Sequence, residues 1–351
     1  MMTEQYDYSL KGHNTFGIEA RCRRFVEYAS VEEAQAVAAL LRQSPEEPFL
    51  IIGGGSNLLL TKDFPGVVVR SAIKGYTFNA DDDSADGDSA DDDRDSIRMT
   101  CGSGEVFDDM VAASIDAGYY GMENLSLIPG DVGASAVQNI GAYGVEVKDL
   151  ITTVEAVEIA TGAVLTFTNA DCQYAYRQSR FKNDWKNRFL ITHVTYTLSR
   201  TFTPRLDYGN IRAELDRRAI TEPTARQLRQ TVIDIRNAKL PDPKVTGNGG
   251  SFFMNPVVSR STYEELASRY PDMPHYYIDG DHEKIPAGWL IDQCGWKGRS
   301  LGRAGVHDKQ ALVLVNLGGA TGDEIVRLCE AIRQDVQSKF GITIHPEVNI
   351  V

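Results

Sequence analysis

No CxxC pair occurs among the five cysteines of this 351-residue chain, and Cys22, Cys101, Cys172, Cys294 and Cys329 are odd in number and far apart. That spacing excludes a disulfide framework and a zinc ribbon, and it fits a reducing compartment. No uninterrupted apolar stretch approaches the ~18 to 20 residues of a membrane span. The N-terminus, MMTEQYDYSLKGHNTFG, lacks a basic region followed by an apolar run, so it is not a signal peptide and a cytoplasmic protein is expected. Basic residues are also scarce: 36 Lys and Arg stand against 49 Asp and Glu, for a formal net charge of -13. A broad electrostatic grip on nucleic acid or on anionic lipid is thereby excluded.

Much of the negative charge is local. The tract DDDSADGDSADDDRD, residues 81–95, holds nine Asp and one Arg, and the rest of the chain carries about -5. Self-repulsion and the lack of apolar residues mark it as a solvated loop inserted between two strands. Its Asp spacing invites comparison with calcium loops, but no Glu stands at a twelfth position and no flanking helices are evident, so no metal site is assigned.

The length suggests two or three domains. RRFVEYAS reads as a strand, and SVEEAQAVAALLRQ as a helix with Ser30 and Glu33 at capping-box spacing. PFLIIGGGSNLLL runs from a buried strand into a glycine turn, followed by the strand GVVVRS, the strand SIRMTCGSG and the helix EVFDDMVAASIDAG. Residues 128–144 have no clean period. A hairpin is expected around Thr161 and Gly162, and FLITHVTYTLS alternates like a half-buried strand. Beyond a helix over 224–239 come the capped helix STYEELASRY, the strand ALVLVNLG, a helix from Asp323 to Phe340 and a final strand ITIHPEVNIV. The basic cluster RQSRFKNDWKNR reads as a solvated loop.

Three glycine-bearing stretches carry the chemistry. IIGGGSNLLL places successive backbone N–H groups where they could cradle a diphosphate, with a plain tight turn as the competing reading. A GxGxxG frame would need glycine at 58, where Leu58 stands, and no Lys-Ser or Lys-Thr follows for a Walker loop. In LIPGDVGASAVQNIGAYG small residues recur at 130, 133, 134, 135, 136, 141, 142 and 144, which lets backbone lie flush against a ligand. Two separated cradles point to a dinucleotide. GNGGSFFMNP sets the hydroxyl of Ser251 between two glycines and two phenylalanines that should begin a buried strand. That serine bonds within its own loop or serves a reaction; GxSxG is absent because Phe253 takes the second glycine position, which argues against a hydrolase nucleophile.

NTFGIEA, IIGGGSNLL, GMENLSLIPGDVGASAVQNIGAYGVE, YAYRQSRFK, KLPDPKVTGNGGSFFMNPVV, PAGWLIDQCGWKGRSLGRAGVH and HPEV occur in this order across nearly the whole chain. In these strings the chain resembles the UDP-N-acetylenolpyruvoylglucosamine reductase family, and LDYGNI at 206–211 is similar to the tyrosine-bearing loop of its type I members. The acidic tract and Met254, where some members carry lysine, depart from the family pattern.

The resemblance implies an α+β fold: a two-part FAD-binding domain of the vanillyl-alcohol oxidase type plus a smaller α+β substrate-binding domain. Its parts would be 1–72 joined by a C-terminal strand 341–351, 73–213 with the acidic insert, and 214–340. It implies an FAD enzyme that uses NADPH to reduce the enolpyruvyl ether of UDP-N-acetylglucosamine enolpyruvate to UDP-N-acetylmuramate for peptidoglycan. Another FAD oxidoreductase of the same fold, acting on an alcohol or sugar, is the alternative. A monomer or weak oligomer is expected.

Hydride addition to the enolpyruvyl group leaves negative charge delocalised into its carboxylate, so a cation, a hydrogen-bonding acid and a proton donor are needed. By resemblance these are Arg177, Glu347 and Ser251. Tyr208, Lys239, Asn255 and Gln293 match positions that bind the UDP-sugar, with a core amide as the other reading of Gln293. FAD would be held by Gly53, Gly54, Gly55, Ser56 and Asn57, by Pro129, Gly130, Gly133, Ala134, Asn139, Gly141, Tyr143 and Gly144, and by Arg236 near the flavin.

Overall fold

The computed structural model describes residues 2–80 and 95–351, and residues 81–94 of the acidic tract lie outside the described residues. Two compact units are formed: Met1–Tyr8, Cys22–Gly54 and Pro65–Ala238 make the first, and Ser9–Arg21, Gly55–Phe64 and Lys239–Val351 make the second.

Among the described residues a four-stranded and a five-stranded sheet, a two-stranded pair of Gly141–Ala142 with Val145–Glu146, and their helices build the first unit. The smaller sheet has the strand order Thr3–Ser9, Arg21–Tyr28, Phe64–Ser71, Phe49–Ile52, the last two running parallel. Helix Val31–Gln43 buries Ala34, Val37, Ala38 and Leu41, spaced at three and four as an amphipathic helix requires. At its start Ser30 accepts from the Glu33 amide, while the Glu33 carboxylate accepts from the Ala29 amide.

The larger sheet has the order Val164–Thr168, Ile151–Glu158, Phe189–Ser199, Ser96–Gly102, Tyr76–Ala80, every neighbour antiparallel. Its first pair is the expected hairpin, with Gly162 at φ +79° in the turn. The Tyr28 hydroxyl ties the two sheets together by donating to Ile191 O at 2.9 Å. Helix Ala225–Lys239 and helix Ile211–Arg217 share a separate small core of Ile211, Leu215, Leu228, Val232 and Ile235.

In the second unit the strands Gly247–Ser251, Val313–Asn316, Ala304–Val306 and Ser300–Leu301 form an antiparallel sheet. Helix Gly322–Phe340 starts at a capping box made by Thr321 and Glu324 and buries Ile325, Cys329, Ile332 and Val336.

Several elements depart from the sequence reading. Residues 128–144 contain the helix Val132–Gln138, whose small side chains hide the helical period. The strand ahead of Phe252 and Phe253 ends at Ser251 rather than beginning at the phenylalanines, although both rings are buried as expected. ITIHPEVNIV is not one strand: only Asn349–Ile350 is, paired parallel with Leu58–Leu59, preceded by a single bridge from Phe253 to Pro346. Proline has no N–H to continue a ladder there. The strand in ALVLVNLG is confined to Val313–Asn316. The basic cluster is not solvated throughout: Asn183, Asp184, Lys186, Asn187 and Arg188 are exposed, but Phe181 and Trp185 are buried and pack with Phe167 and Phe189.

Close backbone approach fixes one glycine of the long helix. A Cβ on Gly322 would lie 2.0 Å from Leu60 O and 2.6 Å from Thr61 Cα. Helix propensity alone favours alanine there by up to about 1 kcal/mol, but overpacking against backbone costs about 1–3 kcal/mol. Gly322→Ala should therefore lose stability in urea denaturation, and a gain would contradict this packing.

Candidate active site

In the first unit two glycine segments meet. A Cβ on Gly53 would come within 2.9 Å of Ala134 Cβ, and one on Gly54 within 3.1 Å of Gly130 Cα and 3.2 Å of Asp131 Oδ1. The sequence places these residues some 75 positions apart, and the fold packs them backbone to backbone. Gly133 turns inward instead: its amide donates to Ser103 O at 2.9 Å, and a Cβ there would lie 2.9 Å from Ser103 Cβ. Gly133 thus fastens helix Val132–Gln138 to the sheet.

Asp131 lies behind Gly54, 5% exposed, with Arg70 Nη2 3.4 Å from its carboxylate. Burial raises its pKa, opposed by the Arg70 charge. Arg70 reaches on to Glu27 at 3.1 Å. The sequence reading missed this ionic backing; the only signal was an aspartate directly after the Pro129-Gly130 pair.

The second half of the glycine segment is held in an unusual shape. Asn139 and Tyr143 are left-handed at φ +47° and +49°, a conformation that costs a non-glycine residue about 1–3 kcal/mol, and Arg177 stands at φ +56°. Specific bonds hold this shape. Arg177 Nη2 donates to Gly141 O at 2.7 Å and Nη1 to Asn139 O at 3.3 Å, while Asn139 Nδ2 donates to Ala175 O at 2.8 Å. Tyr208, exposed at the loop, packs on Gly144, where a Cβ would meet the Tyr208 Cβ at 3.2 Å.

Arg236 presents a different feature. Its Nε is buried with no hydrogen-bond partner, and burial lowers the guanidinium pKa, opposed first by Tyr143 and then by Asp108. Burial likewise raises the Tyr143 phenol. An unpartnered buried cation donor is costly unless an anionic or polar group meets it. The structure thus gathers Asn139, Gly141, Tyr143, Gly144, Arg177, Tyr208 and Arg236 around one segment, and Gly53, Gly54, Gly130 and Ala134 around another; Pro129 precedes the latter.

In the second unit the end of the chain returns to Ser251. The Glu347 amide donates to Phe252 O at 2.8 Å, and the Met254 amide to His345 O at 2.9 Å. Asn57 joins them: its Nδ2 donates to Glu347 O at 3.3 Å, and its carbonyl accepts from the Asn349 amide at 3.1 Å. Ser251 is exposed at the end of its strand, whereas Phe252 and Phe253 behind it are buried, and Phe16 meets Phe252 edge-on at 6.2 Å.

Thr15, which the sequence reading assigned no role, connects these parts. Its hydroxyl donates to Asn248 O at 2.6 Å and its amide to Gly55 O at 3.1 Å. Gly55, at φ +66°, leaves no space for a side chain, since a Cβ would lie 2.0 Å from His13 O. Ser56 follows in the same turn.

Asn255 Oδ1 accepts from the Ala287 amide at 2.9 Å, which orients the side chain at the start of helix Ala287–Gln293. Gln293 ends that helix and is exposed rather than a core amide; its carbonyl accepts from Lys339 Nζ. Lys239 is exposed at the end of helix Ala225–Lys239. All five cysteines are free, and burial pushes Cys101 and Cys329 up to about 12, so neither is primed as a nucleophile.

Comparison with known proteins shows the family. Residues 242–351 match the family described as UDP-N-acetylenolpyruvoylglucosamine reductase, C-terminal domain, and residues 23–168 match the FAD binding domain family. A UDP-N-acetylenolpyruvoylglucosamine reductase of Bacteroides fragilis is 51% identical over 98% of this chain and 99% of its own. One of Flavobacterium johnsoniae is 44% identical over 100% of both chains.

Among solved structures, the UDP-N-acetylenolpyruvylglucosamine reductase of Thermus caldophilus superposes with a TM-score of 0.64 at 21% identity, covering 100% of this chain and 98% of that one. A solvent-stable cholesterol oxidase shares the fold at a TM-score of 0.50 and 14% identity, over 99% and 87% of the two chains. No described helix is long and apolar enough to cross a membrane. Identity at this level over the full length, with both family matches in place, means that the chain belongs to the UDP-N-acetylenolpyruvoylglucosamine reductase family.

Proposed function

We propose that this protein is the FAD-dependent, NADPH-using enzyme that reduces UDP-N-acetylglucosamine enolpyruvate to UDP-N-acetylmuramate for peptidoglycan, acting in the cytoplasm as a monomer or weak oligomer. The observation that carries the reading is the bond from the Glu347 amide to Phe252 O, which sets an acid beside the residue that follows Ser251. In this reading the FAD-binding part comprises 1–72 with 341–351 and 73–213, and the substrate part is 214–340.

The residues present fit an FAD. The cradle at Gly53, Gly54 and Gly130 has no side chains on the backbone that would face a diphosphate, and a Cβ at Gly54 would crowd Gly130. The unpartnered Arg236 Nε suits an electron-rich ring edge or an anion. When bound, the FAD supplies the redox centre that accepts hydride equivalents from NADPH and delivers them to the enolpyruvyl group.

The side chains supply the remainder of the chemistry. Arg177 faces the substrate carboxylate with a planar fork that its bonds to Asn139 O and Gly141 O hold in place. Ser251 donates its hydroxyl proton to the carbanionic carbon, and Glu347, acting as a carboxylic acid, donates a hydrogen bond to the negative charge that develops next to it. The Phe252 and Phe253 wall keeps water from competing for that carbon. Tyr208, Lys239, Asn255 and Gln293 donate to the UDP-sugar, with Asn255 Nδ2 oriented because its Oδ1 is committed to the Ala287 amide.

The visible spectrum tests the reading. A flavin spectrum should bleach with anaerobic NADPH and return on addition of the enolpyruvyl UDP-sugar; absence of any flavin that can be reconstituted would remove the assignment. Ser251→Ala should bleach normally, and its return should slow by about 10²- to 10⁴-fold, the usual worth of a positioned proton donor. Unchanged reoxidation would take Ser251 out of that role. Gly54→Val should purify with most of its FAD missing, because the side chain would fill the space against Gly130 and Asp131; full flavin occupancy would show that the cradle lies elsewhere.

A further inference from the structure

Asn124 belongs to the stretch GMENLSLI, residues 121–128, to which the mechanism above gives no task, yet it occupies a junction. It is 2% exposed, on the 3-10 turn Glu123–Leu125. Its Nδ2 donates to Tyr143 O at 2.8 Å and to Arg205 O at 3.0 Å. One amide group therefore ties the cradle turn to the irregular stretch that leads into the Tyr208 loop.

Both partners need such a tie. Tyr143 is left-handed at φ +49° and is followed by Gly144 at φ +80°, a turn that must be held by its surroundings. The loop lies against this turn: a Cβ on Gly144 would be 3.2 Å from Tyr208 Cβ, and one on Gly209 would be 3.5 Å from Tyr143 Cδ1. Arg205 has no regular secondary structure to fix its carbonyl. Neighbouring Glu123 is itself buried, its carboxylate accepting from the Gly121 amide at 3.0 Å, so the donor is presented from a rigid base.

We propose that Asn124 is a positioning residue that latches the Tyr208 loop onto the Tyr143–Gly144 turn and thereby sets the affinity for the UDP-sugar. This rests on the role given to Tyr208 above. If the latch is released, the loop spends part of its time away from the turn, and apparent affinity falls by the fraction of molecules that remain closed.

Asn124→Leu keeps the branched side-chain shape and removes both N–H donors. Hydrogen exchange on the FAD-bound protein should show amides at 143–144 and 203–209 exchanging at least tenfold faster, with the sheets unchanged; no change, or a uniform increase over the whole chain, overturns the latch. Should Asn124→Leu not fold, Asn124→Ser, which retains a single donor, is read in the same way.

A double-mutant cycle with Tyr208→Ala then tests the consequence. Asn124→Leu alone should raise KM for the enolpyruvyl UDP-sugar about tenfold with kcat changed less than threefold, and should add less than twofold in the Tyr208→Ala background. Additive effects would show that Asn124 does not act through Tyr208. If the UDP-sugar fails to reoxidise the flavin of the unaltered enzyme, the functional reading falls, while the exchange experiment still decides whether the latch exists.

Discussion

The second unit depends on the last residues of the chain being tied into its middle. The bonds from the Glu347 amide to Phe252 O, from the Met254 amide to His345 O, and from the Asn349 amide to Asn57 O hold the returning segment against the strand end that carries Ser251. Each is a modest backbone interaction, worth about 0.5–1.5 kcal/mol net. Their effect is geometric, because the buried rings of Phe16, Phe252 and Phe253 leave the returning chain one way to lie. Thr15 extends the same arrangement to Gly55, so one threonine links the turn after the first glycine cradle to the serine-bearing strand.

The first unit solves a different problem, that of keeping nearly side-chain-free backbone in a defined shape. Glycine-rich segments have large conformational entropy to lose on folding. Here polar side chains from other segments take their carbonyls, Arg177 those of Asn139 and Gly141 and Asn124 that of Tyr143, while Asn139 of the segment itself donates outward to Ala175 O. Asp131, at the start of helix Val132–Gln138 and paired with Arg70, backs the Gly53–Gly54 turn. Small residues thus leave room on one side while larger polar ones define the other. Gly133 shows that not every glycine of such a segment serves a ligand, since its missing Cβ admits Ser103.

Much of this was legible in the sequence because strong local signals were present. The helices Val31–Gln43 and Gly322–Phe340 have apolar residues at three- and four-residue spacing and Ser or Thr caps, and the strand Phe189–Ser199 alternates. Local signals failed where side chains are small or where pairing is remote. The helix Val132–Gln138 has too little apolar bulk to show a period, and the C-terminal segment looked like a strand although Pro346 breaks its ladder. Trp185 and Phe181 sit among charged residues in sequence but share a core with Phe167 and Phe189.

The residue types themselves, the glycines without room for a Cβ, the lone serine before two phenylalanines, and the order of the motifs, were set by the sequence, because each reflects a local requirement that one short stretch can satisfy. Which of them meet was decided only by the tertiary structure. Gly54 against Gly130, Asn57 beside Glu347, and Asn124 between Tyr143 and Arg205 are pairings across 19 to 290 positions. No local propensity encodes them. They arise when buried surfaces pack, and they hold because each buried carbonyl and amide must find a partner.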